Sequence, residues 1–345
     1  MRSAFLDNIK GIACLLIVFH HLAFYGPMSD VANTVIPKII DFFIHDARLA
    51  VAVFLCVGGF LTGIKLSEPN YFAKHSVQQV IWQKYLRLVI PYLGAIALAI
   101  AASFVASRLM QHHSISAMPD VPQLLSHLFF LQNILGYESL SAGLWYVAID
   151  FQLFAFCALV VFLVEKLSPA SWSYRSTRLI SLIIFSALTI ASVIFFNRHD
   201  VYDVWFVFFF ATYGLGFLAA YLARSQSHHV LILSVVAITI FSLYYQDFRE
   251  RLIIALLMAF LLFGSYQSSW SQSKVWNNPM KKIGEMSYSI FLVHFPVSLV
   301  ISGIWAQLYP SDPWLNVLGM GLSALLSLLL AILFYKYIEK VNPKN

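Results

Sequence analysis

The sequence predicts an all-α polytopic membrane bundle of about ten transmembrane helices, with N- and C-termini on the cytoplasmic side. Three observations lead there. Of 345 residues, 60% are hydrophobic and only 11% charged, with a mean hydropathy of +0.77; a soluble domain carries about 25% charged residues. Apolar runs long enough to cross a bilayer as helices, about 20 residues each, recur along the chain. The cations are also sorted: 16 of the 22 Lys and Arg fall in segments sharing a side with the N-terminus, which the positive-inside rule makes cytoplasmic. The net charge of +6 follows from that crowding and needs no nucleic acid.

Taken in order, the apolar runs place spans at 10–27, 47–66, 88–107, 142–164, 179–197, 203–222, 229–245, 250–267, 285–307 and 314–338. Short polar breaks such as Arg198-His199-Asp200 separate the fifth to eighth. The first run holds two histidines and lacks a small-residue cleavage pattern, so it reads as a span and not a signal peptide. The longest outer segment, 108–141, reads as a loop. Cys14, Cys56 and Cys157 lie inside apolar runs without metal-type spacing and read as small core residues. There is no internal repeat, Gly-rich phosphate loop or metal signature, so residues 1–345 form one membrane domain that is expected to hold no metal.

Ionisable groups inside apolar runs mark function by default. Lys10 and His21 are eleven residues apart, which puts them on one helical face about 16 Å apart along the axis. His20 is turned about 80° from that face. Either Lys10 is a positive-inside anchor and His21 is bonded to a neighbouring helix, or the pair is one site, since a neutral imidazole is a natural general base near pH 7. Asp150, in the fourth span, is expected about 12 Å below the outer end, at a depth where its carboxylate either orients His21 or makes a structural hydrogen bond between helices. Lys84 and Arg87, at i and i+3, share a face at the cytoplasmic boundary. They either anchor the span or grip phosphate. His294 shares a face with Ser287 and either contacts substrate or satisfies backbone freed by Pro296.

In order and spacing these pieces resemble the acyltransferase 3 family of integral membrane O-acyltransferases. Leu6-Asp7-Asn8-Ile9-Lys10-Gly11 and Phe19-His20-His21 match the family's first span, with Lys10 where arginine is usual. Val57-Gly58-Gly59-Phe60 resembles its second-span pattern, and Lys84 with Arg87 its Arg-x-x-Arg pair. Leu144-Trp145-Tyr146-Val147-Ala148-Ile149-Asp150-Phe151-Gln152 matches a Leu-Trp-Ser-Leu-x-x-Glu-x-Gln pattern, with Asp150 at the glutamate position. Phe208 to Gly216 resembles a mid-chain span, Ser287 to Pro296 a Ser-Tyr-x-x-Tyr-x-x-His-x-Pro stretch, and Tyr335 to Lys340 the family's ending.

The resemblance implies transfer of an acyl group, most often acetyl, from cytoplasmic acyl-coenzyme A to a hydroxyl of a cell-envelope glycan or lipid-linked sugar. The enzyme would sit in the inner (plasma) membrane, with acyl-CoA as co-substrate and no resident cofactor. Lys10, Lys84 and Arg87 would hold donor phosphates, and His21 with Asp150 would carry the chemistry, directly or through an acyl-histidine. Trp145, Gln152, Tyr288 and His294 would contact substrate. Many larger relatives carry a soluble hydrolase-like domain after the last span; none is expected here. The competing reading is a proton-coupled transporter with His21, Asp150 and His294 as a relay, although repeated halves with broken helices are not seen.

Overall fold

Helix boundaries fall where the side chains dictate them. Asp120, Ser173, Asn278 and Asp312 each accept a backbone N–H of the helix they precede, supplying acceptors to otherwise unsatisfied donors. Proline opens several helices at a position whose missing N–H costs nothing. The computed structural model describes residues 3–169, 171–224 and 229–341, and these contain no strand. The helices are α1 (Ala4–Tyr25), α2 (Pro27–Ala32), α3 (Pro37–His45), α4 (Ala50–Leu66), α5 (Tyr71–Lys74), α6 (Val77–Leu109), α7 (Val121–Leu128), α8 (Leu144–Leu167), α9 (Tyr174–Ile194), α10 (Phe206–Arg224), α11 (His229–Tyr245), α12 (Glu250–Gln267), α13 (Pro279–Glu285), α14 (Ser287–Leu308) and α15 (Pro313–Phe334).

Among the described residues, nine helical stretches are long and apolar enough to cross a membrane. The seventh predicted span coincides with α11, whose apolar stretch Leu231–Tyr245 falls short of that length. The first and last spans end together. Asn8 Nδ2 donates to the Trp276 carbonyl at 2.7 Å, a Cβ on Gly284 would strike the Asp7 carbonyl, and Ser289 Oγ donates to Glu339 Oε2 at 2.5 Å. This end, which carries Lys10, is the cytoplasmic one by the charge distribution.

The bundle has two lobes. One joins α1, α6, α14 and α15 around Ile17, Leu22, Tyr92 and Ile290. The other joins α8, α9, α10 and α12, with Leu153, Phe185, Tyr213 and Phe217 at its centre. Helix α4 bridges them, packing on both α1 and α10. Its contact with α10 is backbone to backbone: a Cβ on Gly59 would run into the Tyr213 carbonyl, and one on Gly216 into that of Cys56. Small residues allow this approach where packing, not hydrophobicity, joins helices.

The segment 108–141, expected as an outer loop, dips into the bundle. Tyr85, about 36 Å along α6 from Leu109, donates its hydroxyl to the Leu128 carbonyl at 3.0 Å. Gln152 Nε2 donates to the Phe130 carbonyl at 3.0 Å. Phe130 is buried with a left-handed φ of 57°. Non-helical backbone is tolerated at membrane depth only when protein groups satisfy it, and Tyr85 and Gln152 do so. Because the segment returns from inside, α8 starts in the interior: a Cβ on Gly143 would meet the Phe291 ring of α14.

Candidate active site

Two groups of the expected residues assemble at different depths. The outer group centres on α1 and α14. His21 Nδ1 lies 2.6 Å from His294 Nε2, with the rings stacked 4.9 Å apart. His294 Nδ1 lies 3.1 Å from the Ile290 carbonyl. A carbonyl only accepts, so His294 donates from Nδ1 and, when neutral, accepts at Nε2. His21 must then donate from Nδ1, which leaves its Nε2 as a lone pair. This tautomer is assigned from the hydrogen-bond chain. His294 does not serve the Leu292 carbonyl freed by Pro296; its bonds go to Ile290 and His21.

His21 lines a cavity of about 790 Å³ between the lobes, within the roughly 300–1,000 Å³ typical of ligand sites. His20, Trp145, Thr212 and Phe291 share its wall, and Arg48, Arg249 and Arg251 line its rim. Trp145 is held against Phe209 at 5.5 Å between ring centres. His20 is tied to α3, with Nδ1 2.9 Å from the Phe43 carbonyl. The helix starts of α4 and α12 beside the rim place it at the outer end of the bundle, so His21, backed by His294, faces outward.

The inner group is cationic. Lys84 Nζ binds Asp150 Oδ2 at 2.6 Å, and Lys10 Nζ binds Asp7 Oδ1 at 2.6 Å. The Lys84 ammonium stands 5.4 Å from the centre of the Phe154 ring, and Lys65 approaches the same ring at 5.5 Å. Lys65 also feels the like charges of Lys84 and Arg87. From sequence, Lys65 entered only the inner-charge count; its membership of this cluster depends on α4 and α8 meeting.

The expected partnership of Asp150 with His21 is not formed. Asp150 is paired with Lys84, and His21 with His294. The reason is the depth of α8. Gly143 already stands at Phe291, so Asp150, seven residues on, lies about 10 Å farther toward the cytoplasmic end, whereas His294 lies on the outer side of Phe291. Two residues expected to touch substrate also have structural partners: Gln152 holds the Phe130 carbonyl, and Tyr288 donates to the Leu88 carbonyl at 2.8 Å, fastening α14 to α6.

Residues 3–336 match the family model of the acyltransferase 3 family, described as an acyltransferase domain. The chain belongs to this family. No curated protein and no solved structure matches it. As a multi-pass membrane acyltransferase it requires an acyl donor and an acceptor. Of the residues of the expected relay, His21 and His294 are hydrogen-bonded to each other, whereas Asp150 is paired with Lys84.

Proposed function

We propose that this acyltransferase is an O-acyltransferase that moves an acyl group, acetyl in the first instance, from cytoplasmic acyl-CoA to a hydroxyl of a cell-envelope glycan or lipid-linked sugar. The observation that carries the reading is His21, hydrogen-bonded to His294 and facing an outward cavity, with cations at the opposite end. Lys10, Lys65, Lys84 and Arg87 favour an anionic donor headgroup. Arg87 is exposed and presents the fork suited to phosphate, while Lys10 and Lys84 exchange carboxylate partners for it.

In the transfer, His21 Nε2 takes the proton of the acceptor hydroxyl as its oxygen attacks the thioester carbon. The carbon–sulfur bond breaks, and the thiolate takes the proton back from the imidazolium. One ester and one free thiol result. His294 holds the His21 ring and accepts from its Nδ1–H, the role a carboxylate plays in a catalytic triad. His21, not His20, is the base in this scheme, because the bond to His294 sets its tautomer.

Mass spectrometry of surface glycans from cells carrying the wild-type protein, a deletion or His21→Ala tests the reading. Acyl groups present only with the wild type support it. Identical glycans in all three sink it.

A further inference from the structure

The rim of the outer cavity has a composition that hydroxyl recognition does not need. Arg48, Arg249 and Arg251 line it together with His45, and Glu250 is the one acidic residue among the lining side chains. Arg249 is spent on structure. It is buried, donates to the Val193 carbonyl, Asn197 Oδ1 and Ser242 Oγ, and is ion-paired to Asp247 at 3.1 Å.

Arg48 and Arg251 differ. Neither has an ion pair among the described residues, although Asp200 and Asp247 act on Arg251 from beyond ion-pair distance. Each is nonetheless held in place: Arg48 Nε donates to the His45 carbonyl at 2.9 Å, and the Arg251 guanidinium sits 5.0 Å from the centre of the Phe208 ring. They are close enough to act on each other as like charges. Two positioned guanidiniums that repel one another at a cavity mouth form a receptor for an oxyanion, which would relieve the repulsion and accept their forked donors. The rim is also mechanically joined to the reacting helix, since His20 of α1 bonds the Phe43 carbonyl of α3, two residues before His45.

We infer that the acceptor carries an anionic group, a phosphate or a sugar carboxylate, which Arg48 and Arg251 hold while a neighbouring hydroxyl is presented to His21. This rests on the acyl-transfer reading for its name of "acceptor", but the anion site itself is testable by binding alone. The full chain in nanodiscs of neutral lipid is titrated with glucose 1-phosphate, methyl glucuronide and uncharged methyl glucoside by calorimetry. The expected result is that at least one anionic sugar binds about tenfold or more tightly than the glucoside, as charge-assisted contacts allow, and that added salt narrows the gap. Which anion wins separates phosphate from carboxylate.

In Arg48→Gln/Arg251→Gln the preference should collapse, whereas Arg48→Lys/Arg251→Lys should keep part of it. Because the readout is a ratio within one preparation, a loss of folded protein does not imitate the effect. Equal affinities in the wild type, or an unchanged ratio in the Gln pair, overturn the proposal. Anion preference together with glycans unaffected by His21→Ala would leave the anion site standing and remove the acyl-transfer reading; the reverse combination removes only the site.

Discussion

His21 and His294, 273 residues apart in the chain, share a 2.6 Å nitrogen–nitrogen hydrogen bond. The bond from His294 Nδ1 to the Ile290 carbonyl fixes its direction, and so leaves His21 Nε2 with a free lone pair. A histidine here holds the place beside His21 that was expected of Asp150. An uncharged partner suits an interior site, where an isolated carboxylate is expensive to bury.

His294→Phe should therefore lower kcat by about 10²- to 10⁴-fold, the range for loss of an orienting or acid–base contribution, while the KM for acyl-CoA stays within experimental error. Steady-state kinetics on reconstituted protein decide it. A rise in acceptor KM with kcat intact would return His294 to substrate contact.

Asp150→Asn should change the donor side. Removing its charge leaves Lys84 without its 2.6 Å partner, so the KM for acyl-CoA shifts while the pH dependence of kcat remains that of the wild type. An altered acid limb in the kcat profile would restore Asp150 to His21.

Lys65→Ala, Lys84→Ala and Arg87→Ala should each raise the KM for acyl-CoA more than that for the acceptor. The effect should shrink at high salt, since Coulomb attraction to phosphate is screened. Equal donor KM in all three variants would make them membrane anchors only.

Gln152→Leu should destabilise by about 1–3 kcal/mol, because it strips a buried carbonyl of its donor. Hydrogen exchange should quicken in 129–140, with both substrate KM values preserved. Unchanged exchange with a raised KM would favour the substrate role first expected of Gln152.

Gly59→Val should lower the melting temperature in detergent sharply, because any Cβ there meets the Tyr213 backbone of α10. Gly321→Ala, in α15 where a Cβ meets nothing within 4 Å, should hold or raise it, since alanine is about 1 kcal/mol the better helix former. Equal effects of the two would show that the α4–α10 approach is unimportant to stability.

Much of this protein was legible in one dimension. Hydropathy and helix length located the spans because each must satisfy its backbone within itself, and charge sorting set their direction. The Lys10–His21 spacing was readable because both residues ride one helix. Trp145, expected at the substrate, stands in the wall of the His21 cavity. Where the reading failed, a segment without hydropathic signature was responsible: 108–141 looks like any polar loop, and nothing local announces that Leu128 and Phe130 reach Tyr85 and Gln152. With that excursion α8 starts beside Phe291, and Asp150 pairs with Lys84 and not with His21.

The sequence by itself determined an α-helical membrane acyltransferase with a histidine on the first span and cations toward the cytoplasm. The helices, the buried histidine and the charge sorting follow from composition and from periodicity within single helices, and the acyltransferase reading from the resemblance of the ordered motifs to the family. Only the tertiary structure decided the partners: His294 for His21, Lys84 for Asp150, Lys65 beside Lys84, and Arg48 near Arg251. Such pairs depend on the relative depth of different helices, which packing between Gly59 and Tyr213 or Gly143 and Phe291 sets and no repeat along the chain encodes.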